Sequence, residues 1–170
     1  MRVEIYPLEK VVLGKVTIFL GMERGRVEEI LGNGQCIRDR YYYFENEMAI
    51  EYDESERVEF IEFLGGIDGR LKPMIYGMSV FESTSVEIVE RLRRENGDGE
   101  EFSDQDYAFG FADISVGVWR ELRPTDVGEM IEEMKADGMS VENNEEIAAE
   151  MRKANHWATI GMGVLGCYNG

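Results

Sequence analysis

Gly161-Met162-Gly163-Val164-Leu165-Gly166 has the spacing of the glycine fingerprint that cradles a dinucleotide pyrophosphate. That chemistry needs a strand feeding a helix whose first amide groups meet the phosphates. Only Cys167-Tyr168-Asn169-Gly170 follow, too few for such a helix. The expectation is a strand-like segment whose glycines let it bend or pack closely. His156 is the single histidine, and Cys36 and Cys167 are the only cysteines. Nucleophilic catalysis needs a base held beside its nucleophile, and nothing in the sequence joins these three residues. One histidine and two separated cysteines give no zinc pattern. His156 is expected at or near the surface beside Trp157, and two cysteines are too few for a disulfide framework, so both thiols are expected free and buried.

Asn96-Gly97-Asp98-Gly99-Glu100-Glu101 offers oxygen ligands of the kind calcium takes. The helix-loop-helix calcium loop wants glycine at its sixth position and an acid at its twelfth. Counted from Asn96 these are Glu101 and Tyr107, so the run reads as a solvated loop. Glu28-Glu29 and Glu132-Glu133 are paired acids, but neighbours on a helix diverge and share no face for acid–base work. Tyr41-Tyr42-Tyr43-Phe44 alternates across a sheet, with Tyr41 and Tyr43 on one face and Tyr42 and Phe44 on the other. An outward tyrosine pair suits a binding surface.

The chain has 170 residues, 44% apolar, with a formal net charge of −17. It can bury a core, and its field repels a nucleic-acid backbone while attracting basic proteins. The acids are spread along the chain, and residues 124–170 are the most one-sided, with Lys135, Arg152 and Lys153 as the only bases. Met1–Ile5 has no apolar signal core, and no stretch approaches the roughly 18 apolar residues of a spanning helix. The expectation is a cytoplasmic protein with no membrane contact and no cofactor or metal.

Stepping along the chain, Arg2–Tyr6 alternates and stops at Pro7, as a short edge strand would. Leu8–Leu20 is β-rich and interrupted by Gly14-Lys15; Gly21-Met22 leads to a helix over Arg24–Leu31, stopped by Gly32. Tyr41–Phe44, Met48–Tyr52 and Val58–Phe63 form a three-stranded antiparallel meander with polar connections. Gly65, Gly66 and Gly69 mark a joint between a first half, residues 1–66, and a second, residues 67–170. Lys72–Phe81 reads as a strand. Thr84-Ser85-Val86-Glu87 is a capping box opening a helix over Ser85–Glu95, with Val86, Val89 and Leu92 inward. Glu95–Asp106 reads as an exposed loop, and Tyr107–Phe111 with Ile114–Glu121 as a β pair. Helices open near Pro124-Thr125 and Asn144, and Trp157–Tyr168 is strand-like. The order helix-then-meander occurs in both halves, a weak internal repeat.

Gly21-Met22 followed by Val27-Glu28-Glu29-Ile30-Leu31-Gly32 before a meander resembles the small α+β repeat of β-lactamase-inhibitor proteins and of a small outer-membrane assembly lipoprotein. The likeness is best over residues 14–63, with Arg24-Gly25 where those families usually carry Ser or Thr, and weaker over 74–120. Tyr76–Phe81, Val116–Arg120 and Trp157–Gly161 are similar to uncharacterised bacterial proteins found among toxin-immunity candidates. These resemblances imply an inhibitor-like binding role and no catalytic residue. The expected fold is α+β, mainly antiparallel sheet with helices on one side, in two repeats. The expected function is non-enzymatic binding of a basic protein partner, as by an immunity or inhibitor protein. Its contacts would come from Tyr41, Tyr43, Trp119 and Trp157 and from the carboxylates of Asp98, Glu100 and Glu101. The alternatives are a small-ligand sensing domain with a pocket between the halves and an enzyme of unassigned class.

Overall fold

A computed structural model describes residues 1–169. It is an α+β fold of two sheets and four helices over those residues. The first half begins with β1 (Arg2–Tyr6), β2 (Lys10–Leu13) and β3 (Val16–Phe19). The helix α1 (Arg24–Leu31) and the strands β4 (Gln35–Ile37), β5 (Arg40–Tyr43), β6 (Met48–Tyr52) and β7 (Val58–Phe63) follow. A 3-10 turn, Gly66–Asp68, leads to β8 (Lys72–Ile75), β9 (Met78–Ser79), α2 (Ser85–Asn96), β10 (Glu101–Asp104), β11 (Ala108–Phe111) and β12 (Val116–Trp119). Then come α3 (Pro124–Ala136), α4 (Glu145–Ala154) and β13 (Thr159–Gly163).

Turn chemistry divides the apolar runs. Gly14 at φ 61° opens the two-residue link between β2 and β3, and Tyr76 and Gly77, both at positive φ, link β8 to β9. Leu8–Leu20 is therefore a hairpin turning at its Gly14-Lys15 interruption, and Lys72–Phe81, expected as one strand, is a hairpin as well. Each half then runs hairpin, helix, four strands. The meanders abut through β7 and β13 in one eight-stranded antiparallel sheet ordered β10-β11-β12-β13-β7-β6-β5-β4. The hairpins flank β1 in a five-stranded sheet ordered β3-β2-β1-β8-β9. Strands of both halves share both sheets, and one core runs from Val3 and Ile5 through Ile50, Ile61 and Phe63 to Phe81, Leu92 and Ile160.

Several local expectations change. Arg2–Tyr6 is not an edge strand: it lies between β2 and a parallel β8, with Val3 and Ile5 buried. The parallel partner is about seventy residues away, so no local pattern announces it. The first meander gains β4, a short Gln-Cys-Ile run exposed throughout and without alternation. The run taken as a loop contains β10, which is also exposed throughout and is held as an edge by β11. Within α2 the inward residues are Ile88, Val89 and Leu92, whereas Val86 is 64% exposed. The capping box forms as the sequence requires, Thr84 Oγ1 accepting from the Glu87 amide at 3.3 Å and Glu87 accepting from the Thr84 amide at 2.9 Å. Both cysteines are exposed, not buried. No helix among the described residues is long and apolar enough to cross a membrane.

Glu47 ties the two halves. From the turn between β5 and β6 it accepts the Leu71 amide at 2.7 Å, one residue before β8, and faces the Arg70 guanidinium. Although burial opposes it, these donors hold the Glu47 carboxyl below its ordinary value of 4.5. The folded state thus binds the proton less readily than the unfolded chain. Its stabilisation is complete above pH 4.5 and is lost as pH falls through the lowered value. Glu47→Gln is expected to destabilise the protein by about 1.5 kcal/mol at pH 7, with the difference from wild type shrinking in acid. Urea unfolding at pH 7 and pH 3 measures both, and an unchanged midpoint at pH 7 would contradict the role.

Candidate functional site

Strand pairing puts one row of residues straight across the outer face of the large sheet. Phe102 on β10 pairs with Gly110, Gly110 with Gly117, Gly117 with Gly161, Gly161 with Glu62, Glu62 with Ala49, and Ala49 with Tyr42. Side chains two apart on a strand share a face, so Trp119, Thr159, Phe60, Glu51 and Arg40 project on this same side. Three successive glycines in the row leave a trough in the sheet.

The Tyr168 ring lies in that trough. A Cβ built on Gly110, Gly117 or Gly161 would sit 2.8, 2.2 or 2.8 Å from the nearest Tyr168 atom, and one on Gly163 would sit 2.4 Å from Cys167 Sγ. The chain turns back after β13 because Ser115 Oγ donates to the Val164 carbonyl at 2.7 Å and the Val164 amide donates to the Glu59 carbonyl at 2.9 Å. Phe60 flanks the ring, centroid to centroid 6.1 Å. Burial, with Glu62 nearby, pushes the Tyr168 hydroxyl well above the ordinary tyrosine value, so it stays neutral.

Beside Tyr168 is a cleft of about 360 Å³ floored by Gly110, Gly117, Ala108 and Thr159, with Phe102, Trp119 and Tyr168 around it and Glu62 in its lining. Phe102 is 51% exposed and Trp119 46% exposed. Glu62 shares Arg40 with Glu51: Arg40 Nη2 contacts Glu62, and Arg40 Nε lies 2.8 Å from Glu51 Oε1. One guanidinium thus serves two carboxylates.

The sequence-predicted contact residues separate. Trp119 lies on this face. Tyr41 and Tyr43 do not form an outward pair: they face the core. Tyr43 is buried, and Tyr41 accepts a hydrogen bond from Arg24 Nη1 at 2.9 Å and stacks edge-on against Tyr52 at 5.2 Å. Tyr42 is the outward tyrosine, and Phe44 leaves the strand at φ 52°. Asp98 and Glu100 remain solvent-exposed before β10, while Glu101 is clamped by Arg93 through two bonds of 2.7 and 2.6 Å.

Trp157 is 1% exposed, so it cannot meet a partner. Its Nε1 donates to the Ser85 carbonyl at 3.0 Å, and its ring packs edge-on against Phe109 and beneath the Arg120 guanidinium at 4.7 Å. His156 Nδ1 donates to the Ser83 carbonyl at 2.9 Å. Phe102, Phe60, Glu62 and Tyr168 were not singled out by sequence; the repeated glycines Gly110, Gly117, Gly161 and Gly163 were the available signal.

A second cleft lies at the glycine joint between Leu64–Asp68, Arg120–Leu122 and α4. Its volume of about 170 Å³ is below the roughly 300 Å³ at which small-molecule pockets begin. Among the described residues no group of three or more His, Cys, Asp or Glu is arranged to hold a metal ion.

The trough makes a prediction. Gly117→Ala should destabilise the wild-type chain by about 1–3 kcal/mol, because the added methyl meets the Tyr168 ring. On a Tyr168→Ala background the same change should cost almost nothing. A double-mutant cycle by thermal unfolding measures the coupling, and equal costs in both backgrounds would show that the ring does not occupy the trough.

No protein-family model, no curated protein and no solved structure matches this chain at a significant level.

Proposed function

We propose that this chain is a non-enzymatic binding protein that docks a basic protein partner on the open face of its eight-stranded sheet, in the manner of an immunity or inhibitor protein. The observation that carries the reading is the pair of half-exposed aromatic side chains, Phe102 and Trp119, standing beside a glycine-floored cleft on a continuous sheet face. Exposed aromatics grouped with polar neighbours are what protein contact surfaces are made of, and tryptophan and tyrosine dominate their energies. A net charge of −17 steers a basic partner towards such a face and raises the association rate. The likeness to inhibitor repeats and toxin-immunity candidates points the same way.

The test is capture of partners from the native host on immobilised protein, at low and moderate salt, using wild type, Trp119→Ala and Phe102→Ala in parallel. A specific partner should be basic, should associate faster at low salt, and should lose about 2 kcal/mol or more of affinity with Trp119→Ala. Retention of the same partner at undiminished affinity by both variants would overturn the assignment of this face.

A further inference from the structure

We infer that the cleft between Phe102, Trp119 and Tyr168 is a receptor for an organic cation, the side chain of a lysine or arginine presented by the docked partner. The inference rests on the reading of this face as the docking surface and adds the chemistry of its central contact.

Three aromatic side chains line one cleft over a floor of Gly110, Gly117, Ala108 and Thr159. An aromatic ring carries its negative potential on its faces, so rings gathered around a cleft attract a cation, arginine or lysine above all. The short side chains of Ala108 and Thr159 beside the Tyr168 ring leave room for a long aliphatic stem, which packs against apolar walls while its head stays polar. The charged group of the lining is Glu62. Among the described residues its one cation is Arg40, which also serves Glu51, so the cluster keeps a net negative charge. Asp104, two residues beyond Phe102 on the same face of β10, adds a further exposed carboxylate. Aromatic walls, a carboxylate in the lining and an overall charge of −17 all select the same ligand chemistry. The Tyr168 wall is held in place by the trough beneath it, so the receptor is preformed.

The experiment uses the full chain and two synthetic peptides, a lysine–serine repeat and the same peptide with every lysine acetylated. Binding is followed by calorimetry and by tryptophan emission, in which Trp119 is exposed and Trp157 buried. The lysine peptide is expected to bind at low salt and to quench or shift the Trp119 component. Trp119→Leu and Phe102→Leu are expected to weaken it about tenfold, the scale of a desolvated cation–π contact. Glu62→Gln should weaken it by a smaller factor, and circular dichroism should show all three variants folded. Equal binding of the acetylated peptide would overturn the inference. So would wild-type affinity in both Trp119→Leu and Phe102→Leu, or failure of the wild-type chain to bind the lysine peptide. If the face captures a protein partner through Trp119 but ignores the lysine peptide, the cation receptor alone is wrong. If the peptide binds in the cleft but no partner depends on Trp119, the docking reading fails instead.

Discussion

The pairing of Phe60–Phe63 with Ile160–Gly163 is the constraint on which the rest of the molecule depends. Each meander alone is four short strands with an open edge, which leaves unpaired backbone groups to be covered. Joined through β7 and β13, they become one sheet whose inner face closes over a shared core and whose outer face stays open. The same seam sets the register of the glycine row. Because Gly161 faces Glu62 and Gly117 faces Gly161, the trough and the carboxylate come side by side, and a slip by one residue would turn every one of these side chains inward.

The halves match in order of elements but not in length. The link between β6 and β7 is the short turn Asp53–Arg57, whereas β12 and β13 are separated by α3 and α4. Arg120 holds that insertion at its root. It is buried, and it donates to the Ala154 carbonyl at 2.9 Å, to Ser85 Oγ at 2.8 Å and to the Asp106 carbonyl at 3.0 Å. Ala154 closes α4, so the cation sits at the negative end of a helix dipole. Burial draws the Arg120 guanidinium below its ordinary value, and oriented carbonyls with the Trp157 ring offset the lost hydration. Trp157 is therefore a structural residue of this junction, although a tryptophan in an acidic sequence invites the opposite reading.

Local rules carried some elements almost intact. Arg24–Leu31 was legible as a helix from the Gly21-Met22 lead-in and from Gly32 at its stop, and Thr84 with Glu87 announced the start of α2. Strands β6 and β7 followed from alternation and polar turns. The edge strands β4 and β10 escaped because an edge exposes both faces, and its residues then carry no hydrophobic period. Among the candidate contacts, Trp119 stands exposed on the outer face, whereas Tyr41 and Tyr43 turn to the core. Period two gives which tyrosines share a face, not which face is solvated; that follows from the core on one side of the sheet.

The sequence by itself determined the acidic field, the α+β composition, the helix caps and turns, and the repetition of a helix followed by a meander. Each depends on charge, propensity or contacts within a few residues, where spacing fixes geometry. Tertiary structure alone decided that β1 is central, that the halves share both sheets, that Trp157 is buried and Trp119 exposed, and that Tyr168 lies on Gly110, Gly117 and Gly161. Those facts rest on pairings between residues about seventy to a hundred positions apart. Such contacts are selected by packing of the whole core, and no local pattern of residues encodes which distant surface will cover them.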